Sequence, residues 1–201
     1  AGNRLISLFP AATGGHDRLL TNAFFLLVFA RSDVTLSLCC FVKSRRWTDA
    51  TLIPAWPRRL LVWQLAIMYT ATGVQKLGVE WWPWGGLTAV HRSLLLPQWA
   101  REDWSFIAGI TPLTQAATLT TVLWESTWWV VVLWLWLRRT EARGGRLRRL
   151  AARVNLRRIY VLIGIVMHTT LWVMLVLGPF SPITMSYYFC LYREEELRRG
   201  G

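Results

Sequence analysis

Cysteine is scarce in this chain, which has 201 residues but only three cysteines. Cys39 and Cys40 are adjacent, and Cys190 stands alone near the other end of the sequence. This number and spacing exclude a disulfide framework and the paired CxxC pattern of a zinc site. We therefore predict no metal site, and we interpret all three cysteines as small apolar side chains.

Charged residues are also few, at 17% of the chain, and they are strongly skewed towards arginine. The formal net charge is +12, and only Lys43 and Lys76 among the 23 basic residues are lysines. Such a charge could indicate nucleic-acid binding. The arginines, however, cluster directly between long apolar runs, which is the pattern of a membrane protein. We therefore predict no nucleic-acid partner.

Long apolar runs are the main feature of the sequence, since 54% of its residues are hydrophobic. A helix needs about 20 predominantly apolar residues to span a bilayer. Three runs approach or exceed that length, with at most one charged residue in each. They are residues 60–77 with Lys76, residues 113–137 with Glu125, and residues 159–177 with no charge.

Two weaker apolar runs, residues 19–41 and 179–192, flank these three. With no internal repeat, we predict an all-α fold: a polytopic transmembrane helix bundle of about five spans, forming a single domain over residues 1–201. Its principal partner is then the lipid bilayer. The chain begins Ala-Gly-Asn without a methionine or a signal-peptide pattern. We therefore expect this domain to be incomplete at its amino terminus.

The distribution of basic residues orients the predicted spans. Residues 138–158 contain nine arginines, and residues 43–59 contain five basic side chains. The positive-inside rule places both loops and the carboxy terminus in the cytoplasm, so we predict a multi-pass protein of the cell membrane. Segment 79–107, with five tryptophans, is expected along the outer interface. After Gly144 and Gly145 we expect a short basic surface helix.

Glu125 is the first of three ionisable side chains within apolar runs. Such groups cost about 2.5–3.5 kcal/mol each on insertion scales and usually face the interior of a bundle. Glu125 lies near the middle of run 113–137. Gln115, Thr118, Thr121 and Glu125 recur at intervals of three and four residues, which puts them on one helical face. This stripe is predicted to face other helices, either as hydrogen-bonding glue or as part of a functional site.

His168 is the second such side chain and lies near the middle of run 159–177. Gly164, one turn earlier, would let a neighbouring helix approach closely. Because Glu125 and His168 share a predicted depth, we expect them to pair if their helices touch, and a carboxylate–imidazole pair can relay protons. The alternative is a histidine that is satisfied within the bundle and has only a structural role.

Lys76 is the third, and it lies about 24 Å along a helix that begins at residue 60. That position predicts a place in the outer part of the bilayer, where a lysine can extend to the surface. Tyr69, Thr72 and Lys76 share one helical face, with Gly73 beside them. This face favours the other possibility, a partly desolvated amine that acts as a base or binds an anion.

The stretch WPRRLLVWQLAIMYTATGVQKLGVEWWPWGG resembles the signature of the HTTM family, the membrane domain shared with vitamin K-dependent gamma-carboxylases. TNAFFLLVFARSDVTLSL and GIVMHTTLWVMLVLGPFSPITMSYYFCLY resemble the family's asparagine-led early span and its late histidine-containing helix. The likeness covers most of residues 19–192. The residues that match the signature are Arg59, Gln64, Tyr69, Gly73, Lys76–Leu77 and Trp81 or Trp82.

The resemblance also implies a chemistry. In the carboxylases, the lysine of the lysine–leucine pair is the base that deprotonates vitamin K hydroquinone. On that basis Lys76 is a base and the cofactor is a quinol such as menaquinol. Glu125 and His168, the other ionisable side chains within apolar runs, are further catalytic candidates. The implied substrate or quinol pocket comprises Asn22, Gln64, Tyr69, Thr72 and Trp81.

The chain departs from the carboxylase pattern at Ala23, where the carboxylases carry a histidine that assists carboxylation. It is more similar to short bacterial inner-membrane members, including the branch of the protein that matures the sporulation-delaying peptide toxin. Two functions stay open. One is quinol-dependent modification or maturation of a peptide. The other is a non-catalytic membrane partner in export or maturation of a secreted peptide toxin, acting with a small partner protein.

Overall fold

Helices make up most of the described part of the chain. The computed structural model describes residues 15–30, 34, 37–47 and 53–192. All regular secondary structure in these ranges is α or 3-10 helix, with no β-strand, which confirms the all-α prediction. The chain divides into two compact units, Ala1–Val62 and Trp63–Gly201.

The described part of the first unit holds two short helices, α1 (Gly15–Phe29) and α2 (Leu38–Ser44). Helix α2 begins at a serine cap, because Ser37 Oγ accepts a hydrogen bond of 3.0 Å from the backbone N–H of Cys40. Part of the predicted loop 43–59 and the whole predicted cytoplasmic tail from residue 193 lie outside the described residues.

The second unit carries the remaining described helices. Helix α3 crosses the boundary between the units and runs over Trp56–Val74. The helices that follow are α4 (Ala89–Leu95), α5 (Ser105–Ala108), α6 (Thr111–Ser126), α7 (Trp128–Arg139), α8 (Arg146–Arg153), α9 (Leu156–Met174) and α10 (Phe180–Ser186). Single-turn 3-10 helices lie at Val79–Trp81, Pro83–Gly85 and Glu141–Arg143, and a longer one at Tyr187–Leu191.

The apolar run 113–137 was expected to be one span, but the chain breaks it at Thr127 into α6 and α7, which are bent by 49°. Side-chain hydroxyls compete with the helix at this point. Ser126 Oγ donates to Val122 O at 2.6 Å, and Thr127 Oγ1 donates to Leu123 O at 2.5 Å. Such back-bonding from serine and threonine bends helices. The prediction of one continuous helix here was therefore wrong.

Among the described residues, α9 is the one helix that is long and apolar enough by itself to cross a membrane. The broken pair of α6 and α7 passes the same test when it is taken together. Helix α3 carries Arg58 and Arg59 at its start and ends before Lys76, so its bounds differ from those of the apolar run. Helix α10 has seven residues, against the roughly 20 that a span needs. The count of about five spans therefore stays a prediction.

Segment 79–107 folds against the carboxyl end of α9. Leu94, Ala108 and Leu175 form a buried apolar cluster there. Trp104 Nε1 donates to Met174 O at 3.1 Å, which closes the end of α9. The tryptophans of this segment thus differ in exposure, since Trp104 packs on the cluster while Trp84 is 74% exposed.

Helix α5 begins beside an exposed carboxylate that binds the backbone. The backbone N–H of Ser105 donates to Asp103 Oδ1 at 2.9 Å. This hydrogen bond lowers the pKa of Asp103 below its ordinary value. The carboxylate therefore fixes the start of the turn.

The polar stripe on α6 faces other elements, as its spacing predicts. Gln115 Nε2 donates to Gly86 O at 3.0 Å, and Thr118 Oγ1 accepts from the backbone N–H of Val90 at 3.2 Å. The stripe therefore ties α6 to the segment that precedes it, and it leads along the helix to Glu125.

Gly73 lets α3 approach the break between α6 and α7. A Cβ atom at residue 73 would lie 2.4 Å from the backbone nitrogen of Ser126 and 2.8 Å from the carbonyl carbon of Glu125. Both atoms belong to the main chain and cannot move aside as a flexible side chain would. The contact between the two elements therefore requires glycine at this position.

The first prediction is that Gly73→Ala destabilises the protein. Its added methyl group overpacks a backbone contact, which costs about 1–3 kcal/mol. Thermal unfolding of the detergent-purified protein measures this as a lower midpoint. Gly109→Ala is the matched control, because its new Cβ would meet Ser105 O at 3.4 Å, which is close to an ordinary contact. Equal midpoints for Gly73→Ala and the parent protein would contradict the account.

Candidate functional site

The candidate site begins where α3 ends. The chain turns after Val74, and the backbone N–H of Lys76 donates to Gly73 O at 3.2 Å. The Lys76 ammonium then forms an ion pair with Glu125 Oε2, at the end of α6. Their side chains are only 12% and 11% exposed, respectively. An ion pair with so little solvent depends strongly on each partner.

Two tryptophans hold the lysine in this position. The ring centroid of Trp81 lies 4.8 Å from Lys76 Nζ, which is within cation–π range. Trp82 Nε1 donates to Lys76 O at 2.9 Å and so fixes the backbone of the same residue. The Lys76 amine therefore lies between the Glu125 carboxylate and the ring of Trp81.

This geometry favours one of the two readings of Lys76. A lysine that extends to the membrane surface would be exposed, whereas this side chain is nearly nine-tenths buried and paired. The sequence also placed Glu125 in mid-membrane and Lys76 near the outer interface. The structure instead brings the two side chains into contact. Glu125 lies at the end of a broken helix, not in the middle of a continuous one.

The expected pair between Glu125 and His168 does not form. His168 Nε2 lies 2.5 Å from the hydroxyl of Tyr69, and Glu125 is paired with Lys76 instead. Helix α3 thus supplies Tyr69 as the partner of His168, and the turn after it supplies Lys76 as the partner of Glu125. The two partners lie seven residues apart in the sequence. The sequence identified the polar groups and missed their pairing, because the pairing depends on where α3 crosses the other helices.

Tyr69 is the centre of a buried polar and aromatic cluster. Its hydroxyl also lies 3.2 Å from the hydroxyl of Tyr188, which follows α10. Its ring stacks on Trp128 at 5.0 Å between centroids and meets Trp124 edge-on at 4.6 Å. His168 Nδ1 is buried and has no hydrogen-bond partner among the described residues.

Gly164 permits the close packing of this cluster, as its position one turn before His168 predicts. A Cβ there would lie 2.3 Å from Tyr188 Oη and 2.7 Å from a ring carbon of Trp124. The sequence reading did not single out Tyr188, Trp124 or Trp128. The sequence feature that could have identified Trp124 and Trp128 is their four-residue spacing, which puts them on one helical face on either side of Glu125.

Three residues of the predicted pocket lie elsewhere or make other contacts. Thr72 is exposed, and its hydroxyl donates to Met68 O of its own helix at 2.7 Å. Gln64 is half-buried on α3, five residues before Tyr69. Asn22 is exposed on α1 and belongs to the first unit. Of the predicted pocket residues, Tyr69 therefore contacts His168, and Trp81 lies beside Lys76.

The arrangement can bind or exchange a proton at Lys76. An ammonium has three donors, and Glu125 Oε2 accepts from one of them. The other two donors are available to a hydroxyl oxygen or an anion. Within the described residues, no group of three histidine, cysteine or acidic side chains is arranged to hold a metal ion.

The second prediction concerns the ion pair. Lys76→Met leaves a buried carboxylate without its cation, and Glu125→Leu leaves the buried ammonium without its anion. Each change should lower the free energy of unfolding by about 3–5 kcal/mol, whereas the double variant should recover most of the loss, because an apolar pair can replace a buried ion pair.

Denaturant unfolding of the single and double variants measures this coupling. Lys43→Met is the matched control, because Lys43 is the other lysine of the chain and is exposed. A double variant that loses the sum of the two single effects would show that the pair is not coupled.

Comparison with known proteins adds no relative to this geometry. No protein-family model, no curated protein and no solved structure matches the chain. The resemblance to the HTTM family therefore rests on the sequence motifs alone.

Proposed function

We propose that this chain is a multi-pass protein of the cell membrane that uses Lys76 as a general base towards a quinol, in the modification or maturation of a peptide. The observation that carries the proposal is the nearly buried Lys76 ammonium, paired with Glu125 beside the ring of Trp81. The HTTM-like signature around Lys76 supports the same role. The arginine-rich loops and the spanning length of α9 support the membrane location.

The residues present fit a quinol such as menaquinol. The Lys76 ammonium keeps donors for a hydroxyl oxygen, and its side chain is 12% exposed, so a substrate group can reach it. Trp81 offers an aromatic face beside the amine, and Trp82 and Trp84 stack on one another at 5.3 Å. When bound, the quinol supplies an acidic hydroxyl and reducing equivalents.

The ion pair supplies the proton chemistry. Glu125 can accept a proton from the Lys76 ammonium, which leaves a neutral amine at Nζ. The neutral amine then accepts the hydroxyl proton, and the ammonium is restored. Because the two groups are in contact, the proton can pass directly from one to the other.

The proposed reaction does not include carboxylation. The carboxylases assist that step with a histidine, and this chain has Ala23 at the matching position. His168 does not take the place of the missing histidine in this site. Its ring lies against the Tyr69 hydroxyl and does not pair with Glu125. We therefore assign proton abstraction to this site and not the addition of carbon dioxide.

The third prediction tests the base. Lys76→Ala should lower the turnover of menaquinol by about 10²–10⁴-fold in the purified, lipid-reconstituted protein, which is the usual contribution of a general base. Lys76→Arg should fail as well, because a guanidinium does not release its proton. Lys43→Ala should keep parent turnover. Unchanged turnover in the Lys76→Ala variant would overturn the proposal.

A second candidate function is a non-catalytic partner in the export or maturation of a secreted peptide toxin. The observation that favours it is the exposed aromatic surface of segment 79–107, where Trp84, Trp99 and Phe106 are 74%, 45% and 67% exposed. There Lys76 would have only a structural role.

The fourth prediction separates the two functions. If Lys76 is a base, a strain carrying Lys76→Gln should lose peptide maturation, whereas Trp84→Ser together with Trp99→Ser should keep most of it. The reverse pattern, with maturation kept in Lys76→Gln and lost in the tryptophan variant, would favour the non-catalytic partner. Secreted mature peptide is quantified by mass spectrometry in both strains, at matched levels of membrane protein.

A further inference from the structure

Helix α8 carries an apolar stripe that the proposed function does not use. Leu147 and Leu150 lie on one face of the helix, and the C-cap residue Val154 follows at the next helical spacing, so the three side chains form one apolar edge along α8 and its end. Their side chains are 68%, 57% and 40% exposed. A row of exposed apolar side chains on a short helix marks a surface for interaction.

A second stripe on the same helix is strongly basic. Arg146, Arg149 and Arg153 are exposed and also follow one another at spacings of three and four residues. At 3.6 residues per turn, their face lies about 100° around the helix from the apolar stripe. Helix α8 itself contains no acidic residue.

The remaining face of α8 is fixed to the rest of the protein. Ala151 is 4% exposed, and Trp134 Nε1 donates to Val154 O at 2.9 Å. Arg148 Nε donates to Thr140 Oγ1 at 3.0 Å, and the Arg148 guanidinium lies 5.4 Å from the ring centroid of Trp136. The helix therefore cannot roll to bury its leucines, and both stripes stay on the outside.

The chain positions α8 next to the helix that can cross a membrane. Gly144 and Gly145 have φ values of 71° and 107°, which reverse the chain after the preceding 3-10 turn and start α8. Helix α9, Leu156–Met174, begins three residues after α8 ends. Adjacent apolar and basic stripes in this position are typical of a helix that lies in the plane of a bilayer surface.

We propose that α8 docks on an anionic phospholipid surface. Leu147, Leu150 and Val154 enter the boundary between headgroups and acyl chains, while the arginines of the basic stripe bind lipid phosphates. Arginine suits this role because its planar guanidinium pairs with phosphate through two hydrogen bonds. The proposal rests on the membrane location given under the proposed function, but not on any chemistry at Lys76.

The test uses the full-length chain in vesicles of two compositions, phosphatidylcholine alone and an equimolar mixture with phosphatidylglycerol. Leu150→Cys carries a nitroxide label in a background of Cys39→Ala, Cys40→Ala and Cys190→Ala. Power-saturation EPR compares collisions of the label with oxygen, which concentrates in the acyl region, and with a water-soluble nickel chelate. A Glu141→Cys label, on the 3-10 turn before α8, is the control.

The label at position 150 should show a several-fold higher oxygen-to-nickel ratio in the anionic vesicles, whereas the label at 141 should stay accessible to nickel in both. Arg146→Gln, Arg149→Gln and Arg153→Gln together should abolish the increase at 150. Removing three basic charges from the other arginine-rich loop, by Lys43→Gln, Arg45→Gln and Arg46→Gln, should leave the increase intact.

Three results would contradict the proposal, and they are distinguishable. If the protein floats with the vesicles but position 150 is equally accessible to nickel in both lipids, α8 does not dock on anionic lipid, and the membrane location stands. If the protein floats with neither vesicle, the membrane location itself is wrong. An increase at 150 that survives loss of the basic stripe would show that phosphate recognition is not involved.

Discussion

The close approach of α3 to the break between α6 and α7 is the contact on which the site depends. Gly73 leaves room for the backbone of Glu125 and Ser126, and that contact brings the Lys76 ammonium to the Glu125 carboxylate. Each charge alone would be costly to bury, and together they offset much of that cost. The same element carries Tyr69 to His168, so one crossing of helices satisfies two buried polar groups.

The arrangement separates two kinds of chemistry within one packed region. The lysine–glutamate pair can exchange a proton and retains some exposure, which is what a reacting group requires. The Tyr69–His168 pair is buried among Trp124, Trp128 and Tyr188, where it orders the core. The aromatic side chains hold the Lys76 ammonium in a fixed geometry, which is the kind of positioning that the proposed role as a base requires.

The sequence identifies the polar residues of this site, but it does not predict which of them pair. Lys76, Glu125 and His168 stand out because an ionisable side chain in an apolar run is rare and needs a partner. Which partner each takes depends on where helices end. The run that hydropathy alone treats as continuous is broken at Thr127, and this break puts Glu125 at the end of α6. The basic helix after Gly145 was predictable, because glycine pairs and charge periodicity are local signals.

The central claim is that the Lys76 ammonium lies against the Glu125 carboxylate. Solid-state NMR can measure it in lipid bilayers, because the chain has only two lysines and selective ¹⁵Nζ labelling gives two resonances. With Glu ¹³Cδ labels and Lys43→Arg to assign the spectrum, dipolar recoupling should place the Lys76 nitrogen within about 4 Å of one glutamate carboxyl carbon, as in an ion pair. That contact should vanish in Glu125→Gln. A Lys76 resonance without recoupling to any glutamate would contradict the account.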